Sequence, residues 1–65
     1  MWTVIYIAKN KKLAEKTEQL LTQEGMLTKI QPVSKGAAQE DGYFEVLVPE
    51  GEAEEAQNII YESGY

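Results

Sequence analysis

At the centre of the predicted fold lies the segment YFEVLVP, residues 43–49. Apolar side chains occupy alternate positions, namely Phe44, Val46 and Val48. This period of two predicts a strand with one buried face, and Pro49 ends it because proline has no N–H group for a sheet ladder. Residues 43–48 of this segment are called β3.

Two more strands are predicted before β3. Residues 3–8 are β-branched and aromatic, which is typical of a strand, β1. Residues 27–33 predict β2, which belongs at a sheet edge because Pro32 cannot donate a ladder hydrogen bond. Residues 34–42 are small and polar, which indicates a loop between β2 and β3.

Two helices are predicted from apolar residues that recur every three or four positions. The first, α1, covers residues 11–24, with Asn10 as its N-cap and Gly25 as its left-handed stop. The second, α2, covers residues 50–63 and ends at Gly64. Its first turn is acidic, which the helix dipole favours.

The order β-α-β-β-α predicts an α+β fold, a ferredoxin-like sandwich that lacks its last strand. A right-handed β1-α1-β2 crossover leaves a gap for β3, so the three-stranded antiparallel sheet has both helices on one face. Residues 1–65 form a single domain. The predicted core consists of Ile5, Ile7, Leu13, Thr17, Leu20, Leu21, Ile30, Phe44, Val46, Val48, Ala53, Ala56 and Ile60.

Composition limits the classes of function. The chain has 65 residues, 43% of them apolar, and contains no cysteine, histidine or arginine. Without these residues the chain lacks the commonest general base, the best nucleophile and the bidentate phosphate clamp, so we expect no enzyme and no cofactor. A core of this size rarely supplies more than about 3 to 5 kcal/mol, and either an unusual fit between helices and sheet or self-association is expected to supplement it.

The charge is acidic overall and unevenly distributed. The chain has six lysines and eleven acidic residues, which gives a net charge of −5. The segment up to Lys35 carries +3, and the segment after it carries −8. Nucleic-acid binding is therefore not expected, because its affinity comes from cations that displace counterions. No apolar run approaches the length of a membrane span, and no basic leader precedes β1, so we expect a cytoplasmic protein without membrane contact.

Three segments carry a family resemblance: Trp2-Thr3-Val4-Ile5-Tyr6, Val46-Leu47-Val48-Pro49-Glu50 and Ala53-Glu54-Glu55-Ala56. Through them the whole chain resembles a small bacterial family described as prokaryotic signal-transducing proteins. The resemblance implies a ferredoxin-like domain, related in architecture to small trimeric nitrogen-signalling proteins, and a regulatory role. It transfers no catalytic residue.

The first candidate site is a cluster of lysines at the start of α1. In the predicted topology the β2–β3 loop emerges beside it, so the cluster and the loop together could hold a phosphate or a carboxylate. The predicted ligand residues are Lys9, Asn10, Lys11, Lys12, Ser34, Lys35 and Gly36. The alternative is that these lysines pair with Glu62 and the terminal carboxylate.

The second candidate site is the sheet face away from the helices. Its predicted interface residues are Trp2, Val4, Tyr6, Tyr43 and Leu47. Only Lys29 and Glu45 add charge there, so the face is expected to be covered by a second copy or another protein. The alternative is that the amphipathic tryptophan and tyrosine rings lie flat on a solvated sheet. The exposed edge of β1 offers a second route to association by strand addition.

A metal site is not expected, whereas three other functions stay open. The four acids Glu50, Glu52, Glu54 and Glu55 are expected to be helix-dipole partners, not metal ligands, because helical spacing spreads their carboxylates. The sensor of a small anionic metabolite is the main rival to an interaction module. An enzyme subunit that completes its site with another chain, and an accessory subunit that recognises a larger protein, also stay open.

Overall fold

The computed structural model describes residues 1–33 and 42–64. Along the chain they form β1 (Trp2–Ala8), α1 (Lys11–Gln23), β2 (Lys29–Pro32), β3 (Phe44–Pro49), a 3₁₀ turn (Glu50–Glu52) and α2 (Ala53–Glu62). The strands form one sheet in the order β1-β3-β2, and β3 is antiparallel to both neighbours. The predicted α+β class and sheet order are confirmed.

Local capping chemistry sets the bounds of α1. The Oδ1 atom of Asn10 accepts a hydrogen bond from the N–H of Leu13 at 2.7 Å, which satisfies one of the free donors of the first turn. At the other end Gly25 has a φ of +86°, which glycine adopts without steric cost. The N–H groups of Gly25 and Met26 bond back to the carbonyls of Thr22 and Leu21, respectively, a Schellman motif that also packs Met26 into the core.

The core lies between the sheet and the two helices. On β3 the side chains of Phe44, Val46 and Val48 are all buried in this core. From α1 come Ala14, Thr17 and Leu21, and from α2 come Ala56 and Ile60. Thr17 is the buried polar residue of the described chain, and its hydroxyl donates to the carbonyl of Leu13 at 2.9 Å, so no polar group is stranded there.

A β-bulge in β1 changes which side chains the sheet exposes. Val4 pairs with Leu47 and Tyr6 pairs with Val46, so Ile5 is an extra residue between them. Beyond the bulge the alternation is shifted by one position, because each residue inserted into a strand reverses the faces that follow.

Two predictions about β1 are wrong for this reason. Tyr6, predicted on the open side, is partly buried and packs against the core. Ile7, predicted in the core, pairs with Glu45 and is 47% exposed on the opposite side. Before the bulge, Trp2 and Val4 keep their predicted side.

Candidate functional site

The sheet face away from the helices forms one continuous surface, here called the open face. Its members follow from strand register and from the alternation of side chains along each strand. In the described residues the open face comprises Trp2, Val4, Ile7, Lys29, Gln31, Val33, Tyr43, Glu45, Leu47 and Pro49.

Exposed apolar side chains concentrate on the open face. Five of the eight large hydrophobic residues exposed within residues 1–33 and 42–64 belong to it: Trp2, Val4, Ile7, Val33 and Tyr43. A sixth, Leu27, lies two residues before β2. Single exposed apolar residues are normal in a soluble protein, whereas a contiguous group of this kind marks an interaction surface.

Trp2 and Lys29 form a clasp across the end of the open face that includes Pro49. They belong to the two edge strands, and the Nζ atom of Lys29 lies 5.4 Å from the centroid of the Trp2 ring. This is a cation–π contact. Leu47 lies on β3 between the two edges and is only 7% exposed. The structure therefore places Leu47 on the predicted face but leaves little of its side chain exposed.

The open face is electrically neutral over its described residues, although the chain carries −5. It contains one cation, Lys29, and one anion, Glu45. The amide of Gln31 donates to Oε1 of Glu45 at 2.8 Å across β2 and β3, which fixes the direction of that carboxylate.

Neither edge of the sheet offers a long regular ladder for strand addition. The bulge at Val4–Tyr6 interrupts the outer strand β1. On the other side β2 has only four residues and ends at Pro32, which has no N–H group. Bulges, short edges and prolines are the devices by which proteins discourage edge pairing. The structure therefore favours the face over the β1 edge as a route to association.

The predicted anion site is only partly assembled by the described residues. Lys9, Lys11 and Lys12 surround the start of α1, whose first turn contains no acid. A shallow, open depression there is lined by Lys9, Asn10, Lys12, Leu13 and Lys16. The Oδ1 atom of Asn10 accepts the capping bond from the N–H of Leu13, and its amide N–H groups are not part of that bond. The other predicted ligand residues, Ser34, Lys35 and Gly36, lie outside the described residues.

The alternative role predicted for these lysines is the formation of ion pairs with the end of α2. Glu62, the last residue of that helix, is exposed, and no ion pair joins it to Lys9, Lys11 or Lys12 in the part of the chain that is described. The terminal residue Tyr65 lies outside that part.

The acidic residues around the 3₁₀ turn do not converge on a common point. Over the described ranges, no three side chains of the His, Cys, Asp or Glu type come close enough to hold a metal ion. One oxygen of Glu52 is buried without a hydrogen bond, but a hard cation requires about six oxygen ligands.

Among the described helices none is both long and apolar enough to cross a bilayer.

Two exposed apolar residues of the open face, Ile7 and Val33, were not predicted as interface residues. Ile7 is there only because of the bulge, and β1 contains no glycine or proline that would have signalled it. Val33 could have been found from the sequence, because it continues the alternation of Lys29 and Gln31, and its N–H bonds to the carbonyl of Tyr43 at 3.0 Å.

Comparison of the chain with protein-family models, with curated proteins and with solved structures gives no match. The resemblance to prokaryotic signal-transducing proteins therefore stays a prediction.

Proposed function

We propose that this protein is a non-enzymatic regulatory module that acts through protein–protein contact, with its open face packed against the open face of a second copy. A cytoplasmic location, expected from the sequence, belongs to the same proposal. The absence of histidine, cysteine and arginine from the whole sequence supports a binding role over a catalytic one.

The observation that carries the proposal is the contiguous group of exposed apolar side chains on a neutral surface. Trp2 alone leaves 44% of its area in contact with solvent. Burial of such area against another protein contributes about 25 cal/mol per Å² before the entropic cost of association is subtracted, and tryptophan and tyrosine are among the residues enriched at interface hot spots. A domain of this size has a small core, so the same burial would also stabilise its fold by mass action.

The test is sedimentation equilibrium at micromolar concentration of the wild type and of Trp2→Ala. Truncation of a hot-spot tryptophan is expected to raise the dissociation constant of the dimer by about tenfold or more. The matched control is Tyr61→Ala, which removes an aromatic ring that is 87% exposed on α2 and should leave the dissociation constant unchanged.

A second variant separates association from folding. Because Trp2→Ala also removes the cation–π contact with Lys29, far-ultraviolet circular dichroism must show that this variant is folded. Ile7→Thr keeps a β-branched residue at an exposed position and is expected to weaken association as well. A wild type that stays monomeric at these concentrations, or equal effects of Trp2→Ala and Tyr61→Ala, would contradict the proposal.

The lysines at the start of α1 support a second candidate function, a sensor of a small anionic metabolite. The unbonded N–H groups of the first turn and the side chains of Lys9, Lys11 and Lys12 together favour a negative charge. Two lysines of this cluster, Lys9 and Lys12, line the open depression at the helix start.

A further inference from the structure

Resting on the proposed function, we infer how the two copies are arranged. The two open faces stack about a two-fold axis that runs between the sheets and perpendicular to the strands. Lys29 of each copy then meets Glu45 of the other copy. The partner is thus a second copy of this chain, and the two charges on the face set its orientation.

The two charges of the open face are displaced along the strand direction. Lys29 pairs with Leu47, whereas Glu45 lies two residues earlier on β3, a distance of about 7 Å along the strand. Trp2 pairs with Pro49, which lies at the end of β3 away from Glu45. The contact with the Trp2 ring therefore holds the ammonium group of Lys29 further from Glu45. The open face therefore has a positive end near Trp2 and a negative end toward Tyr43.

A rotation about the proposed axis reverses the strand direction and superimposes opposite ends. The positive end of one copy comes to lie over the negative end of its partner. Val4 then faces Ile7 of the other copy, because this rotation stacks β1 on β1, and Trp2 lies diagonally opposite Tyr43 of the other copy, one strand away. Aromatic pairs add to the energy of burial, and nearly aligned sheets about 10 Å apart are a common packing of two sheets.

Both charged groups are oriented yet still able to bind. The Trp2 ring occupies one side of the Lys29 ammonium, which has three N–H donors. Gln31 engages Oε1 of Glu45, and a carboxylate has further lone pairs on both oxygens. Side chains that are held before association lose less entropy on binding, so these two are suited to an interface.

The location of the remaining charge agrees with this arrangement. Apart from Lys29 and Glu45, the charged side chains of residues 1–33 and 42–64 lie on the helices or in the short segments next to them. Two copies of an acidic chain can therefore meet at the open face without bringing like charges together. A strongly acidic or basic partner would gain no electrostatic advantage there.

The available area fits a modest dimer. The open face exposes about 600 Å² per copy, counting its apolar residues and the rim of Lys29, Gln31 and Glu45. Two copies together would bury about 1,200 Å², which is the lower limit for a specific interface. In an isologous contact both copies contribute the same surface, so the assembly is complete at two copies and does not grow into a filament.

Charge exchange tests the arrangement. Lys29→Glu places two glutamates opposite each other at both symmetry-related contacts, and Glu45→Lys places two lysines there. Each variant alone is expected to dimerise about tenfold more weakly or worse. A 1:1 mixture restores opposite charges at both contacts and should form a heterodimer within about threefold of the wild-type dissociation constant.

Matched controls carry the same charge changes on the helix layer: Lys12→Glu and Glu54→Lys should leave dimerisation unchanged, alone or mixed. If a reversed charge disturbs the fold, Lys29→Gln and Glu45→Gln replace the charge-reversal variants. Each of them removes one charge without creating a like-charge contact. Single variants that dimerise like the wild type, or a mixture that stays monomeric, would overturn this arrangement while leaving the Trp2→Ala result for the proposed function intact. A monomeric wild type would overturn both.

Discussion

Asn10 is expected to stabilise the protein as a helix cap, and its replacement by alanine tests that role. Its backbone is extended, with φ −157° and ψ 172°, and its side chain accepts the N–H of Leu13 at 2.7 Å in a partly buried position. Asn10→Ala removes this acceptor and leaves a donor of the first turn unsatisfied. The loss is about 1 kcal/mol.

This loss is large for so small a domain. A core of this size rarely contributes more than about 3 to 5 kcal/mol, so the cap represents at least about a fifth of the whole. For domains of 60–100 residues a change of 1 kcal/mol corresponds to a shift of about 4–8 °C in melting temperature. Asn10→Ala should melt lower by that amount.

Asn10→Asp separates the cap from the electrostatics around it. Aspartate keeps the acceptor for Leu13 and adds a negative charge where α1 has no acid in its first turn. A charge at this end of a helix is worth about 0.3–1 kcal/mol at low salt. Lys9 and Lys12 lie beside it and add to the same effect. This variant should therefore be at least as stable as the wild type, with an advantage that declines as salt is added.

The assay is thermal and urea unfolding followed by circular dichroism. All variants are compared at one protein concentration, because dimerisation raises the apparent stability by mass action. If Asn10→Ala melts at the wild-type temperature, or if Asn10→Asp loses as much as Asn10→Ala, the assigned capping role is wrong.

Two further predictions follow from the bulge and from the lysine cluster. Tyr6→Ser should lower the free energy of unfolding by about 2 kcal/mol because Tyr6 packs against the core, whereas Ile7→Ser should cost less than about 1 kcal/mol and act mainly on dimerisation. Urea denaturation measures both, and a larger loss for Ile7→Ser would refute the register of β1. Addition of inorganic phosphate, of a nucleotide or of a small dicarboxylate should shift the amide resonances of residues 9–13, and less so in Lys12→Gln; resonances that stay unchanged with all three would contradict the sensor.

Local chemistry in the sequence was sufficient to predict most of the fold. The N-cap at Asn10 and the positive φ of Gly25 and Gly64 involve only neighbouring residues, so their positions could be inferred without tertiary contacts. The period of two in β3 and the proline in β2 likewise limited where each strand could lie, and the predicted order β1-β3-β2 is confirmed.

The candidate site was predicted less completely because its membership depends on pairing between distant strands. Seven residues of β1 lie against six of β3, so one residue of β1 must remain unpaired, and this count is known only once both strands are in register. Ile5 takes that place, and Tyr6 and Ile7 exchange faces as a result.

Residue type and spacing thus specified the helices, the strands and their capping, since these depend on backbone preferences and on near neighbours. The exposure of Ile7, the cover over Leu47 and the separation of Lys29 from Glu45 were set only by the assembled sheet. Each of these features requires side chains from different strands to meet, and contacts of that kind have no signature in the local order of residues.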